Sequence, residues 1–297
     1  MQTDTRAQAT GSGYATAGLT KAPAWHGLVA CDTWFNGLTT GLFLGAATSE
    51  LVSPEVFATL AKAAYPVAFA LLVVDLVCLV LDLGDPLRFH HMLRVFKPGS
   101  PMSLGVWCLT MYSLPLTVAA AVSLVSGGGI GLEWLRRLAV VLGLLPALGS
   151  AVYKGVLFST SAQPGWKDAR WLGAYLTSAA VTLGCAELLG LAIQLGNERA
   201  AANLRPALGL LLVINAVPLC LLLAEVRTPL SRAYTPGELW LLGAVSIGLG
   251  LVIPLCLVVA GGSPLMLGAV VVILVGSLVS RFVLVRLPHG SVGVHQE

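Results

Sequence analysis

Three ionisable side chains stand inside otherwise apolar stretches of this sequence: Asp75 in "LLVVDLVCLVLDLG", Lys154 in "GSAVYKGVLFST" and Glu187 in "TLGCAELLGL". The amide Asn215 in "LLVINAVPLC" is a further candidate. A charge at the centre of a bilayer costs about 2.5–3.5 kcal/mol on insertion scales unless it is paired or sits in a polar cavity. Such residues are candidates for function, and with Asp82 they make a set able to relay protons. Lys154 also reads as a cation snorkelling to the interface, a reading not open to the short Asp75. At 1.5 Å per residue, Asp75 and Lys154 lie ~10 Å and ~8 Å from the same ends of their apolar runs. That depth allows an ion pair or a shared wet cavity. Glu187 lies towards the opposite face, as a proton waypoint or a boundary residue.

A second group converges at one membrane boundary. Asp32 opens the first apolar run, Asp82, Asp85 and Arg88 follow the second, and Tyr153 sits near the exit of the fourth. A phenol, carboxylates and apolar walls suit a quinone head group, which needs hydrogen bonds at two carbonyls and a proton route during two-electron chemistry. Tyr153 also reads as an interfacial aromatic, and Tyr175 and Tyr234 fit that role better. Intrinsic haem is excluded, because a membrane cytochrome needs mid-helix imidazoles and His26, His90, His91, His289 and His295 all fall outside the runs or at their ends. The adjacent His90 and His91 read as a solvated pair. Cys31, Cys78, Cys108, Cys185, Cys220 and Cys256 are scattered with no CxxC pair, which excludes a self-contained iron–sulfur or zinc site and leaves them as small core residues.

The elements that must position these residues are membrane helices. Of 297 residues 57% are hydrophobic and 10% charged, against roughly 25% charge in soluble domains, and the mean hydropathy is +0.86. Apolar runs at 33–52, 57–81, 102–126, 136–159, 169–195, 204–226, 238–260 and 264–286 predict eight spans, each near the ~20 residues that cross a bilayer. The runs are too continuous for barrel strands. The expected fold is thus an all-α integral membrane protein of eight transmembrane helices in two four-helix bundles. Residues 1–32 form a polar tail without the apolar centre of a secretory signal, and 287–297 a second tail. Gly37, Gly41 and Gly45 predict close packing of the first span on a neighbour. A net charge of +3 with no basic, aromatic-interleaved patch gives no case for nucleic acid. Eleven Lys and Arg on the face holding both termini, against five opposite, put that face in the cytoplasm by the positive-inside rule.

The stretch "DLGDPLRFHHMLRVFKPGSPMSLGVW" resembles the signature of the NrfD/PsrC (polysulfide reductase-type) membrane subunits. That pattern runs DLG, x, P, x, RF, then Leu, then NP-x-SPMS, x, G, x, W. Asp82, Leu83, Gly84, Pro86, Arg88, Phe89, Leu93, Pro98, Ser100, Pro101, Met102, Ser103, Gly105 and Trp107 stand in the matching places, and Lys97 replaces the frequent Asn. "NGLTTGLFLGA" resembles the family's Gly-rich first span and "YKGVLFSTSAQPGW" its Tyr, Gly, Pro-x-Trp region. The resemblance implies an eight-helix anchor without haem or cluster of its own, in a prokaryotic inner (plasma) membrane. It binds menaquinone or ubiquinone beside a docked four-cluster, ferredoxin-like iron–sulfur subunit, and through that subunit serves a molybdopterin catalytic subunit. It further implies that Tyr153 contacts the quinone, that Asp82 and Arg88 form the polar corner near it, and that Asp32 falls where some relatives place a histidine.

Two other readings compete. A secondary transporter or proton channel would line a path with Asp75, Lys154 and Glu187, although the repeats common in transporters are not visible here. A purely structural anchor would leave those acids unexplained.

Overall fold

The computed structural model of the chain describes residues 27–83, 85–125, 129–161, 163 and 165–292, with backbone only for 289–292. Most of the two expected tails, His26, His295 and the side chain of His289 lie outside the described residues. Lipid offers the backbone no hydrogen-bond partners, so a chain this apolar satisfies its N–H and C=O groups within helices. Among the described residues every regular element is helical: α1 Gly27–Val52, α2 Pro54–Leu81, α3 Pro101–Leu124, α4 Ile130–Ser159, α5 Leu172–Gln194, α6 Glu198–Ala233, α7 Pro236–Ile247, α8 Ile253–Ala260 and α9 Ser263–Val292. A single π-helical turn, Gly248–Val252, joins α7 to α8, and a short 3₁₀ helix, Pro86–Leu93, follows α2.

Local chemistry sets several of these boundaries. Pro at the first turn gives up an N–H that has no helical partner anyway, and Pro54, Pro101 and Pro236 occupy such places. The Ser100 side chain accepts from the Ser103 N–H to cap α3, so the "SPMS" run is a helix start. Thr235 and Glu238 close a reciprocal capping box at α7. Pro66, Pro115, Pro146 and Pro218 lie inside helices, and Pro254 stands in the first turn of α8.

Among the described residues, seven segments are long and apolar enough to cross a membrane: α2, α3, α4, α5, α6, the joined α7–α8 segment Pro236–Ala260, and α9. The chain is therefore a multi-pass membrane protein. The first expected span, α1, is not among the seven, because Asp32, Asn36, Thr39, Thr40 and Glu50 lower its apolarity. All five are buried, so its polar side faces protein.

Helix ends depart from the expected runs at several places. α1 begins at Gly27 rather than 33, so residues 27–32 are helix and Asp32 sits inside the element. α4 begins at Ile130 rather than 136 and α6 at Glu198 rather than 204. α9 continues to Val292, beyond the expected start of the C-terminal tail. At α1 and α4 the charged residues extend the helices instead of breaking them, since Asp32, Glu133 and Arg136 find partners on neighbouring helices. Of the cysteines, only Cys185 is buried, while Cys220 and Cys256 are exposed on the apolar surface.

One large apolar core joins α1, α2, α3, α4 and α5 and reaches α6, α8 and α9. A smaller one gathers Phe158, Trp166, Leu172, Val226 and Leu284 at the end where α4 exits and α5 begins. Trp166 donates to the Leu284 carbonyl at 2.8 Å and stacks on Phe158 at 4.6 Å. That bond ties the α4–α5 connection to α9.

Candidate functional site

α1 and α4 meet near the α1 start, and Lys154 of α4 finds two carboxylates there. Its Nζ is 2.8 Å from Asp32 Oδ1 and 3.2 Å from Asp75 Oδ1, and it also donates to the Asp32 backbone carbonyl at 2.8 Å. All three residues are buried. Asn36, one turn beyond Asp32 on the same face of α1, donates to Asp75 Oδ2 at 3.3 Å and to Ser150 Oγ at 3.0 Å. The expected pairing of Asp75 with Lys154 is present, and Asp32 completes it as a third member. Two carboxylates face one ammonium, so the fully ionised cluster carries one surplus negative charge.

A cavity of about 250 Å³ opens beside this cluster, lined by Asp32, Asp82, Tyr153 and Lys154 on one side and by Met92, Met102, Leu79 and Phe158 on the other. Asp82 caps the C-terminus of α2, and Met92 belongs to the 3₁₀ helix. The charged loop thus contributes the Met92 side chain and a carboxylate to the cavity. Of the five residues expected to converge at this boundary, Asp32, Asp82 and Tyr153 line the cavity, and Asp85 and Arg88 do not. Arg88 is not part of that lining. It is exposed, and its Nε pairs with Asp85 Oδ2 at 2.9 Å. His90 and His91 are exposed, with ring centroids 4.4 Å apart. No group of three or more His, Cys, Asp or Glu suited to a metal occurs among the described residues.

Tyr153 lies flat against Gly105 of α3. A Cβ added at Gly105 would fall 1.9 Å from Tyr153 Cδ2, so only glycine lets the ring keep this place. Gly105→Ala is expected to push the ring out and cost about 1–3 kcal/mol, as overpacking usually does. It should also weaken ligand binding at the cavity. Gly99→Ala, whose Cβ would meet nothing within 4 Å, is the control. A thermal melt and a binding titration of the two variants in detergent check both parts.

Glu187 is separate from this site. It lies in the second half of α5, and its Oε2 is buried without a hydrogen-bond partner among the described residues. Asn215 of α6 accepts from Ser178 Oγ at 2.6 Å.

The opposite end of the helices holds a network that the sequence reading does not flag. Arg136 of α4 is buried, and its Nη1 donates to Glu50 Oε2 at 2.7 Å while its Nη2 lies 2.8 Å from Glu133 Oε2. Tyr65 donates to Glu50 at 2.7 Å, and Lys62 pairs with Glu133. Two acids and two bases balance here, which fits a structural clamp among α1, α2 and α4. Arg281 of α9 and Tyr175 of α5 are likewise buried, the guanidinium 5.8 Å from the ring centroid. Arg136 and Arg281 are thus not the wet topology cations, nor Tyr175 the interfacial aromatic, that their positions predict. In the first cluster, the signal that could have added Asn36 to Asp32 was their spacing of four, which puts both on one helix face.

The family model described as NrfD_2, polysulfide reductase, matches residues 14–296. No curated protein matches the chain.

Proposed function

This chain belongs to the NrfD-type polysulfide reductase family, and on that premise we propose that it is the quinone-reactive membrane subunit of a multi-subunit oxidoreductase. It exchanges electrons between the membrane quinone pool, menaquinone or ubiquinone, and a docked four-cluster iron–sulfur subunit. That subunit in turn serves a molybdopterin catalytic subunit. The observation that carries the reading is the cavity where Asp32, Asp82, Tyr153 and Lys154 meet apolar walls. Its volume of about 250 Å³ exceeds the ~150 Å³ that suffices for a benzene-sized ring, and phenol, ammonium and carboxylates are the donors and proton carriers such a head group needs.

A bound quinone supplies two-electron, two-proton chemistry. Tyr153 donates a hydrogen bond and orients the ring. The Asp32, Lys154, Asp75 cluster holds or yields the proton that balances its surplus charge, with Asn36 fixing Asp75. Asp82 stands where a proton passes between the cavity and the loop. Glu187, remote from the cluster, is at most a waypoint towards the other face.

The architecture that serves this role has eight crossings. α1 is the eighth, since its 26 residues reach ~39 Å and its polar residues are turned into the protein. α1–α4 and α5–α9 form two bundles joined along α1 and α5. The membrane is a prokaryotic plasma membrane, and the charge count places the termini and the cavity end in the cytoplasm.

Tyr153→Phe tests the assignment. Loss of one hydrogen bond to a neutral acceptor is worth about 0.5–1.5 kcal/mol, so quinone affinity of the purified complex should fall roughly 3- to 10-fold with little change in melting temperature. Unchanged affinity and quinol turnover would show that Tyr153 does not touch the ring.

A further inference from the structure

We propose that the chain carries a second binding site for a neutral ring with carbonyl acceptors, of the quinone class, between α5, α6, α7 and α9. The choice of ligand class rests on the reading of the first pocket. The site begins with an apolar chamber of about 150 Å³, walled by Leu222, Val226, Leu242 and Val283 and reached by Tyr175, Ser246 and Ser280. A smaller cavity continues from it deeper into the helices, shares Tyr175, Leu219, Ser246 and Ser280, and adds Asn215 and Ser277. The whole is apolar at one end and hydrogen-bonding at the other. An apolar cavity of this size accepts a benzene-sized ring.

Three observations favour a ring with acceptors over a lipid acyl chain. Ser246 Oγ is buried and has no hydrogen-bond partner among the described residues. A hydroxyl in that state asks for a ligand acceptor, which an acyl chain does not carry. The donor arrangement of the first pocket also recurs: the Lys154 ammonium stands 5.7 Å from the Tyr153 ring centroid, and the Arg281 guanidinium stands 5.8 Å from that of Tyr175. In both places a buried cation stands beside a tyrosine that lines a cavity. Finally, Gly250, in the π-helical turn, lines the deeper cavity. Such turns interrupt the regular ladder and occur frequently at functional sites.

The test is photolabelling of the full chain in lipid nanodiscs with a photoreactive short-chain benzoquinone, followed by peptide mapping. Two labelled regions are expected, one in α2–α4 beside Tyr153 and one in α6–α7. Gly243 lines the chamber and has open space at its Cβ position. Gly243→Phe should therefore fill the chamber, reduce the α6–α7 label to background and leave the α2–α4 label intact. Ser246→Ala, which removes the Oγ and adds no bulk, should weaken the α6–α7 label severalfold. Wild-type protein labelled beside Tyr153 but not in α6–α7, or α6–α7 labelling indifferent to Gly243→Phe, overturns the second site and spares the first. Label in α6–α7 alone upholds this site and removes the reading of the first pocket, and label in neither removes both.

Discussion

Replacing Lys154 with methionine is expected to destabilise the protein by about 3–5 kcal/mol, the usual cost of breaking a buried ion pair by removing one partner, and to abolish quinol turnover. Among the described residues Lys154 is the one cation within ion-pair distance of both Asp32 and Asp75, and both carboxylates are buried. Without it the two buried carboxylates keep only the Asn36 amide as a donor, with no cation to offset their charge. Asp75→Leu should be milder. It leaves Lys154 paired with Asp32, a neutral couple, so its melting temperature should stay above that of Lys154→Met. That order is the informative part. If the cluster were only a packing feature, removing Asp75 together with its bonds to Lys154 and Asn36 would do as much harm as removing Lys154. Thermal melts of the two variants, with quinol turnover by the assembled complex, decide between these orders.

The charge balance of the two buried networks separates their roles. At one end, Glu50, Glu133, Lys62 and Arg136 cancel, and a neutral network has no use for a further proton. At the cavity end, Asp32 and Asp75 share Lys154 and remain one positive charge short. A site beside a proton-consuming ligand benefits from that deficit. A clamp does not.

Legibility in the sequence followed the physics of one dimension. Asp75 and Lys154 could be placed at a common depth because helix rise converts residue number into height. The third apolar run was expected from 102, and α3 begins at Pro101, where Ser100 caps it. Rotation about the helix axis and contact between distant helices were not legible. Asp32 seemed to stand at a mouth, yet α1 starts at Gly27, which carries Asp32 inward to Lys154. Arg136 and Arg281 have the spacing of boundary cations, and sequence position alone does not separate a wet arginine from one buried against Glu50 or Tyr175. Arg88 failed in the opposite sense: it stands in the matched motif, yet its side chain turns to Asp85 and away from the cavity. The π-helical turn in "GLGLV" left no mark in the apolar pattern.

Gly184→Leu should give the largest effect of any single substitution outside the site. The glycines of α1 predicted a close neighbour, and α5 is that neighbour. A Cβ at Gly41 would fall 2.0 Å from the Ala180 carbonyl oxygen, and one at Gly184 would fall 1.9 Å from the Gly41 carbonyl oxygen. Both obstacles are backbone, so no rotamer change relieves them and the helices themselves must separate. Small residues supply such contacts in membranes because packing, not hydrophobicity, drives helix association there. The cost should exceed the ~1–3 kcal/mol of ordinary overpacking. Separation also moves α1, which carries Asp32 and Asn36, away from Lys154 and Ser150. Loss of monodisperse protein, or a residual folded fraction that no longer binds quinone, is the expected outcome. Gly131→Leu, in open space at the start of α4, should leave yield and binding unchanged. A Gly184→Leu protein that purified and bound like wild type would mean that the α1–α5 seam does not hold the site together.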